Sequence, residues 1–434
     1  MRVSIESLAH GGDAIARLDD GRVAFVRGGC PGDIADIEIV ADHGNRVDAR
    51  ITSVLEPSPD RVEAPCPYFG MCGGCQWQHI SDDVQRTAKA RIVSDAFSRI
   101  AKLPVDVPPI VAASATYGYR NRMEFVAEEA AAGLRLGLHQ LGEPSLVPID
   151  RCLLLPDRTR DAPRALAGAL RYLSGRHSHL GLRRVGIRIS HHGHDLQVAL
   201  WTEPGPFPRQ LVAKALADAV GATSVVRVLV KGPDKERAVA GVEVLRGRGH
   251  WIERLAGNRM SVSAPSFFQI NTAAAEILVG SVLAAIEPQE DDRVLDLYSG
   301  VGTFTVPLAN RAAEVVAVEG SRHTLADLRR NLETAGVSAD IVGGDVAREL
   351  ASLGTFDLAV VDPPRSGLHP DTLTALAGTE ARTIAYVSCD PATLARDAAR
   401  LTASGYELMG ATPHDLFPQT YHVESVAIFG RVDG

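Results

Sequence analysis

The chain has no apolar run of the roughly 20 residues that a membrane-spanning helix needs. Its start, Met1-Arg-Val-Ser-Ile-Glu6, lacks the apolar core of a secretory signal, so a cytoplasmic protein is expected. Cysteine is scarce: six in 434 residues exclude a disulfide scaffold. An excess of basic charge is missing too, because 45 Lys and Arg face 53 Asp and Glu, for a net charge of −8. Any contact with RNA or DNA must therefore use local basic patches. There is no internal repeat, and no low-complexity segment beyond a brief Ala-rich patch, Ala127–Ala132. What remains is an ordinary globular composition, 45% hydrophobic, long enough for two or three domains.

Residues 1–55 read as a small β-barrel. Alternating runs at Arg2–Ile5, Arg22–Val26, Ile34–Val40 and Asp48–Val54 are separated by Gly-rich turns. Glu56-Pro-Ser-Pro59 marks a boundary. A central α+β domain is expected over 56–260, with a helix over 81–101 that can lie against the C-terminal domain. Ser81 would cap it, and Val84, Ala88, Ile92, Val93, Ala96 and Ile100 would form its buried face. From about Pro288 the pattern becomes alternating βα units, so 261–434 should form a doubly wound, Rossmann-like parallel sheet whose last strands break the order.

Chemistry concentrates in that last domain. The apolar run Thr383–Val387 stops at Ser388-Cys389, and Asp390-Pro391 then opens a helix. Cys389 thus sits at a strand-to-helix corner, where free N–H groups and the helix dipole favour a thiolate. The bland alternative is a buried, packing cysteine. Val294-Leu-Asp-Leu-Tyr-Ser-Gly-Val-Gly-Thr-Phe304 is a strand, a glycine corner and a helix start, and the next strand ends in Glu319, placed to hold ribose hydroxyls. Thr305 replaces the third glycine of a dinucleotide fingerprint, which leans towards S-adenosylmethionine. Asp345 is a candidate for the adenine end of that cofactor, with a helix N-cap as the equal alternative. Asp362-Pro-Pro-Arg365 makes a stiff corner after the fourth strand.

These motifs, with Ser266-Phe-Phe-Gln-Ile-Asn271 and His422-Val-Glu-Ser425, occur in an order that resembles the S-adenosylmethionine-dependent RNA uracil-C5 methyltransferases, in the branch with a TRAM domain and an iron–sulfur cluster. The resemblance spans nearly the whole chain. It implies that Cys389 adds to carbon 6 of uracil, so that carbon 5 can take a methyl group. It implies that Glu424, in an apolar context that would raise its pKa, then removes the carbon-5 proton. Gln269, Tyr298, Thr303, Glu319, Asp345 and Asp362 should line the cofactor site; Thr303 stands where some relatives have Asn. The target uridine must leave its stack, and Phe267 is a candidate to stack on it. One of Phe267 and Phe268 should instead pack in the core.

Cys66, Cys72 and Cys75, with the distant Cys152, can build a four-thiolate site. Spacing alone does not separate zinc from iron–sulfur; the resemblance implies a 4Fe–4S cluster, zinc being the alternative. Cys30 receives no role. The small barrel resembles the TRAM RNA-binding module, and Arg120 and Arg122 are the favoured RNA contacts. The run Lys231–Arg259 is interleaved with acids and reads as a solvated face. Ribosomal RNA is the preferred substrate, uridine 54 of transfer RNA the alternative, and a monomer is expected. A dinucleotide-dependent oxidoreductase would leave Asp362, Cys389 and Glu424 unexplained. A non-catalytic RNA-binding or redox-sensing protein would not need Cys389 and Glu424.

Overall fold

The computed structural model describes residues 1–130, 133–174, 180–232 and 238–432. The end of the Ala-rich patch and part of the Lys231–Arg259 run lie outside them.

Along Arg2–Leu8 a period of two buries Val3 and Ile5 and exposes Arg2, Ser4 and Glu6. The strand closes into a five-stranded barrel in the order Arg2–Leu8, Ala14–Arg17, Val23–Arg27, Arg46–Glu56, Ile34–Asp42. Ala14–Arg17 was not anticipated, because four residues between turns carry little periodic signal. Trp77 and Ile80 add to the barrel core, and Trp77 Nε1 donates to Gly12 O at 2.9 Å.

The expected helix forms over Asp82–Ala96 and widens into a π turn at Phe97–Ala101. Two details differ from expectation. Ser81 holds the cap position, but its hydroxyl donates to Asp60 Oδ1 (3.0 Å) and does not cap the helix. The buried face is not purely apolar: Gln85 and Lys89 are buried with Ile92, Val93 and Ala96, whereas Ile100 is exposed. Lys89 Nζ reaches Asp415 Oδ1 at 2.6 Å and Phe417 O at 3.0 Å, which fastens this helix to the C-terminal part of the chain.

A seven-stranded sheet follows, in the order Ala238–Arg246, Ser224–Lys231, Leu196–Thr202, Leu182–Ile189, Arg122–Ala130, Gly133–His139, Leu146–Pro148. Leu166 and Leu170 of the helix Ala162–Ser174, and Val212 and Leu216 of the helix Arg209–Val220, fill its core. The hairpin His250–Leu255/Asn258–Ser263 sends Trp251 and Val262 into a different core, shared with Leu278 and Val294.

The last sheet has the order Asp340–Gly343, Glu314–Glu319, Arg293–Leu297, Leu358–Val361, Thr383–Ser388, Glu424–Arg431, Tyr406–His414. The first five strands are parallel, Glu424–Arg431 runs against them, and Tyr406–His414 pairs antiparallel with it at the edge, so the closing strands do break the order. Val316 and Val318 face one core, Val315 and Ala317 the other, so both faces are covered. The architecture is the Rossmann-like α/β class expected, with a small β-barrel at the N-terminus. Among the described residues, no helix is long and apolar enough to cross a membrane.

Candidate active site

In an open α/β sheet, ligands gather at the carboxyl ends of the parallel strands. Tyr298, Glu319, Asp362 and Cys389 lie at or just past the ends of four such strands here. Glu424 arrives at the same edge from the opposite direction, because it opens an antiparallel strand. That ladder ends at the Ser388–Ser425 pair, which brings their neighbours Cys389 and Glu424 to the same edge. Both line a cleft of about 640 Å³, together with Gln269, Tyr298, Thr303, Glu319 and Asp362.

The corner that carries Cys389 forms as expected. Asp390 caps the helix Pro391–Ala403, its side chain accepting from Thr393 N at 2.9 Å. The expected ease of ionisation is overturned. Burial, with the neighbouring Glu424 carboxyl, pushes the Cys389 thiol up to about 11, and Arg365 beside it only partly offsets this. Desolvation outweighs one helix terminus. Glu424 is buried, and burial together with Asp362 pushes its carboxyl well above the usual range while Arg365 opposes the shift. Burial raises Asp362 as well. His422 lines the cleft and is held neutral, pushed down to about 3 by burial and then by Arg365.

The glycine corner is a strained turn: Tyr298 lies at φ +60° and Gly300 at +57°. Gly300 N donates to Glu319 Oε2 (3.0 Å) and Ser321 N to Oε1 (2.7 Å). Each carboxylate oxygen keeps a lone pair for a further donor, such as a ribose hydroxyl. Thr305, where a dinucleotide site would have glycine, donates its hydroxyl to Asp296 Oδ2 at 2.5 Å. Asp296 is fully buried beneath the corner, and burial pushes its carboxyl up to about 7.

Phe267 is exposed at the cleft mouth, whereas Phe268 is buried edge-on against Trp251, with centroids 5.4 Å apart. Asp345 does not line the cleft: it is an exposed N-cap that accepts from Arg348 N at 3.1 Å. Arg120 lines the cleft; Arg122 does not, and pairs with Glu124.

Three family models match the chain: a TRAM domain over residues 1–53, a ribosomal RNA adenine dimethylase over 266–346, and a tRNA (uracil-5-)-methyltransferase over 347–432. An uncharacterised RNA methyltransferase of Gloeobacter violaceus is 36% identical, covering 99% of this chain and 96% of the relative. The 23S rRNA (uracil(1939)-C(5))-methyltransferase RlmD of Thiobacillus denitrificans is 34% identical, covering 99% of each. The chain belongs to the S-adenosylmethionine-dependent RNA (uracil-5-)-methyltransferase family. Among solved structures, the Pyrococcus abyssi tRNA (uracil-54, C5)-methyltransferase in complex with S-adenosyl-L-homocysteine matches with a TM-score of 0.76 at 26% identity, over 99% of this chain and 100% of that one.

The cleft of this RNA methyltransferase suits S-adenosylmethionine through its chemistry: a backbone-braced carboxylate in Glu319, a strained glycine corner and an aromatic ring in Tyr298. A second cavity, of about 470 Å³, is lined by Cys66, Cys72, Cys75 and Cys152. All four are free thiols. Burial raises Cys72 and Cys152 and pushes Cys75 up to about 12. Among the described residues, no group of three or more His, Cys, Asp or Glu is arranged to hold a metal ion. Arg120 lines this cavity and the catalytic cleft alike.

Sequence reasoning quoted Arg365 and His422 only as parts of motifs, and missed Phe417, which also lines the cleft. Phe417 follows no readable pattern; its place depends on contacts with a helix more than 300 residues earlier.

Proposed function

We propose that this methyltransferase acts on a uridine of 23S ribosomal RNA, with Cys389 as covalent nucleophile and Glu424 as base. The observation that supports the reading is the single cleft that Cys389 and Glu424 both line, beside the last pair of the Ser388–Ser425 ladder. Cys389 Sγ bonds to uracil carbon 6, which makes carbon 5 nucleophilic. S-adenosylmethionine supplies the methyl group. Glu424 then takes the proton from carbon 5, and the carbon–sulfur bond breaks to return the thiolate. Arg365, beside Cys389 and Glu424, offsets the negative charge that the thiol must carry. Phe267, exposed at the mouth, stacks on the extruded base or its neighbour.

A 4Fe–4S cluster is the group we assign to Cys66, Cys72, Cys75 and Cys152. Four thiols that line one cavity of about 470 Å³ offer the ligand number and the room that such a cluster needs. Its place is structural, since methyl transfer moves no electron.

Likeness to the Thiobacillus enzyme along its full length favours ribosomal RNA. The Pyrococcus structure supports the second reading, uridine 54 of transfer RNA. Nucleoside mass spectrometry decides between them. The protein and labelled S-adenosylmethionine are given unmodified 23S and transfer RNA transcripts separately. Labelled 5-methyluridine in 23S RNA alone is expected; label in transfer RNA alone overturns the substrate, and label in neither overturns the activity.

A further inference from the structure

The segment 415–423, between the last two strands, brings Phe417 and His422 to the cleft and leads into Glu424. Its central residue, Gln419, is buried and lies at φ +68°, a left-handed conformation that residues other than glycine rarely adopt. Each polar group of Gln419 is engaged by the part of the chain that follows the cysteine loop. Gln76 N and Trp77 N, directly after Cys75, both donate to Gln419 O at 3.1 Å. The buried Gln85 donates its amide to Gln419 Oε1 and accepts from Gln419 N, both at 3.1 Å. Gln419 Nε2 donates to Asp82 Oδ1 at 3.0 Å. Gln76, which touches this joint, also lines the cysteine cavity.

The grip passes along the segment. Thr420 N and its hydroxyl both donate to Phe417 O (3.2 and 2.8 Å), and His422 N donates to the Thr420 hydroxyl at 3.3 Å. A strained residue held by remote groups, a few residues before a buried carboxyl, is a device for fixing position. We propose that Gln419 is a positioning residue, the joint through which the cysteine loop and the helix Asp82–Ala96 set Phe417, His422 and Glu424 in the cleft. The proposal rests on the reading of Glu424 as the base.

Two variants of the intact protein test it. Gln419→Gly removes the side-chain bonds while tolerating the backbone angle. Gln85→Leu removes the partner and leaves Gln419 in place. For both, we expect kcat to fall about ten-fold or more, as misplaced catalytic groups cause, with KM for S-adenosylmethionine unchanged. The covalent protein–RNA adduct should build up, because addition then outruns proton removal. Hydrogen exchange of 415–424 should speed up in Gln85→Leu, whether or not RNA is present. Wild-type kcat in both variants, beside a Glu424→Gln control that is inactive and holds adduct, overturns the proposal and leaves the base intact. A fully active Glu424→Gln control overturns the base. In that case the exchange decides: faster exchange supports the joint and unchanged exchange removes it.

Discussion

Cys389 follows Ser388 and Glu424 precedes Ser425, the last pair of a ladder between strands that run in opposite directions, and both line one cleft. Only the reversed direction of Glu424–Arg431 allows this. A sixth parallel strand would carry its first residue to the far edge of the sheet. The break in strand order is therefore what brings a second reactive group to the carboxyl edge.

Replacing Cys389 with Ala should remove the covalent step. Turnover should fall on the order of 10⁴-fold or more, as for other covalent nucleophiles. S-adenosylmethionine binding, read by calorimetry, should survive, because Glu319 and the glycine corner are untouched. Turnover within ten-fold of wild type would show that no thiolate adds to the base.

The raised pKa values predict a pH profile. A thiol pushed up to about 11 is neutral at pH 7, and its ionised fraction grows about ten-fold per pH unit below that value. Glu424 is raised too, so ionisation of the base also grows with pH. Both effects have one sign. kcat/KM for RNA should climb from pH 7 to 9 with no falling limb, and Arg365→Leu should lower it at every pH in that range. A flat profile would mean that bound RNA does not meet a protonated Cys389.

Lys89 is fully buried and its ammonium meets the nearly buried Asp415 at 2.6 Å. Burial lowers the Lys89 pKa and Asp415 opposes the shift, so the pair is held together by mutual need. Lys89→Met should leave Asp415 uncompensated and cost about 3–5 kcal/mol in chemical unfolding. A loss under about 1 kcal/mol would show that water reaches Asp415.

Cys152 is far in sequence from Cys66, Cys72 and Cys75 yet lines the same cavity. Protein purified without oxygen should carry about four iron and four sulfide per chain, and Cys152→Ser should lose most of both. One zinc and no iron would overturn the cluster.

Much of this site was readable in the chain. Strand, corner and helix at Cys389, and the glycine corner with Glu319, depend on neighbours in sequence, and the structure has them as expected. The errors at Cys389 and in the helix Asp82–Ala96 share one cause, which is burial by distant parts. The helix dipole argued for a thiolate at Cys389, but the carboxyl that opposes it comes from another strand. Apolar spacing put Ile100 on the buried face of its helix, yet Lys89 and Gln85 are buried there because Asp415 and Gln419 receive them. Asp345 is a separate case: it is exposed, caps the short helix that follows it directly, and lies outside the cleft lining. Gln419 offered no signal at all, since a left-handed glutamine is a property of its partners.

The central claim is that Cys389 bonds to the uridine and Glu424 releases it. Glu424→Gln protein should be mixed with S-adenosylmethionine and substrate RNA, denatured, digested with protease and nuclease, and sequenced by tandem mass spectrometry. A methylated uridine nucleotide attached to the peptide that holds Cys389 is the predicted result. Full turnover with no adduct, or an adduct on any other cysteine, would contradict the account.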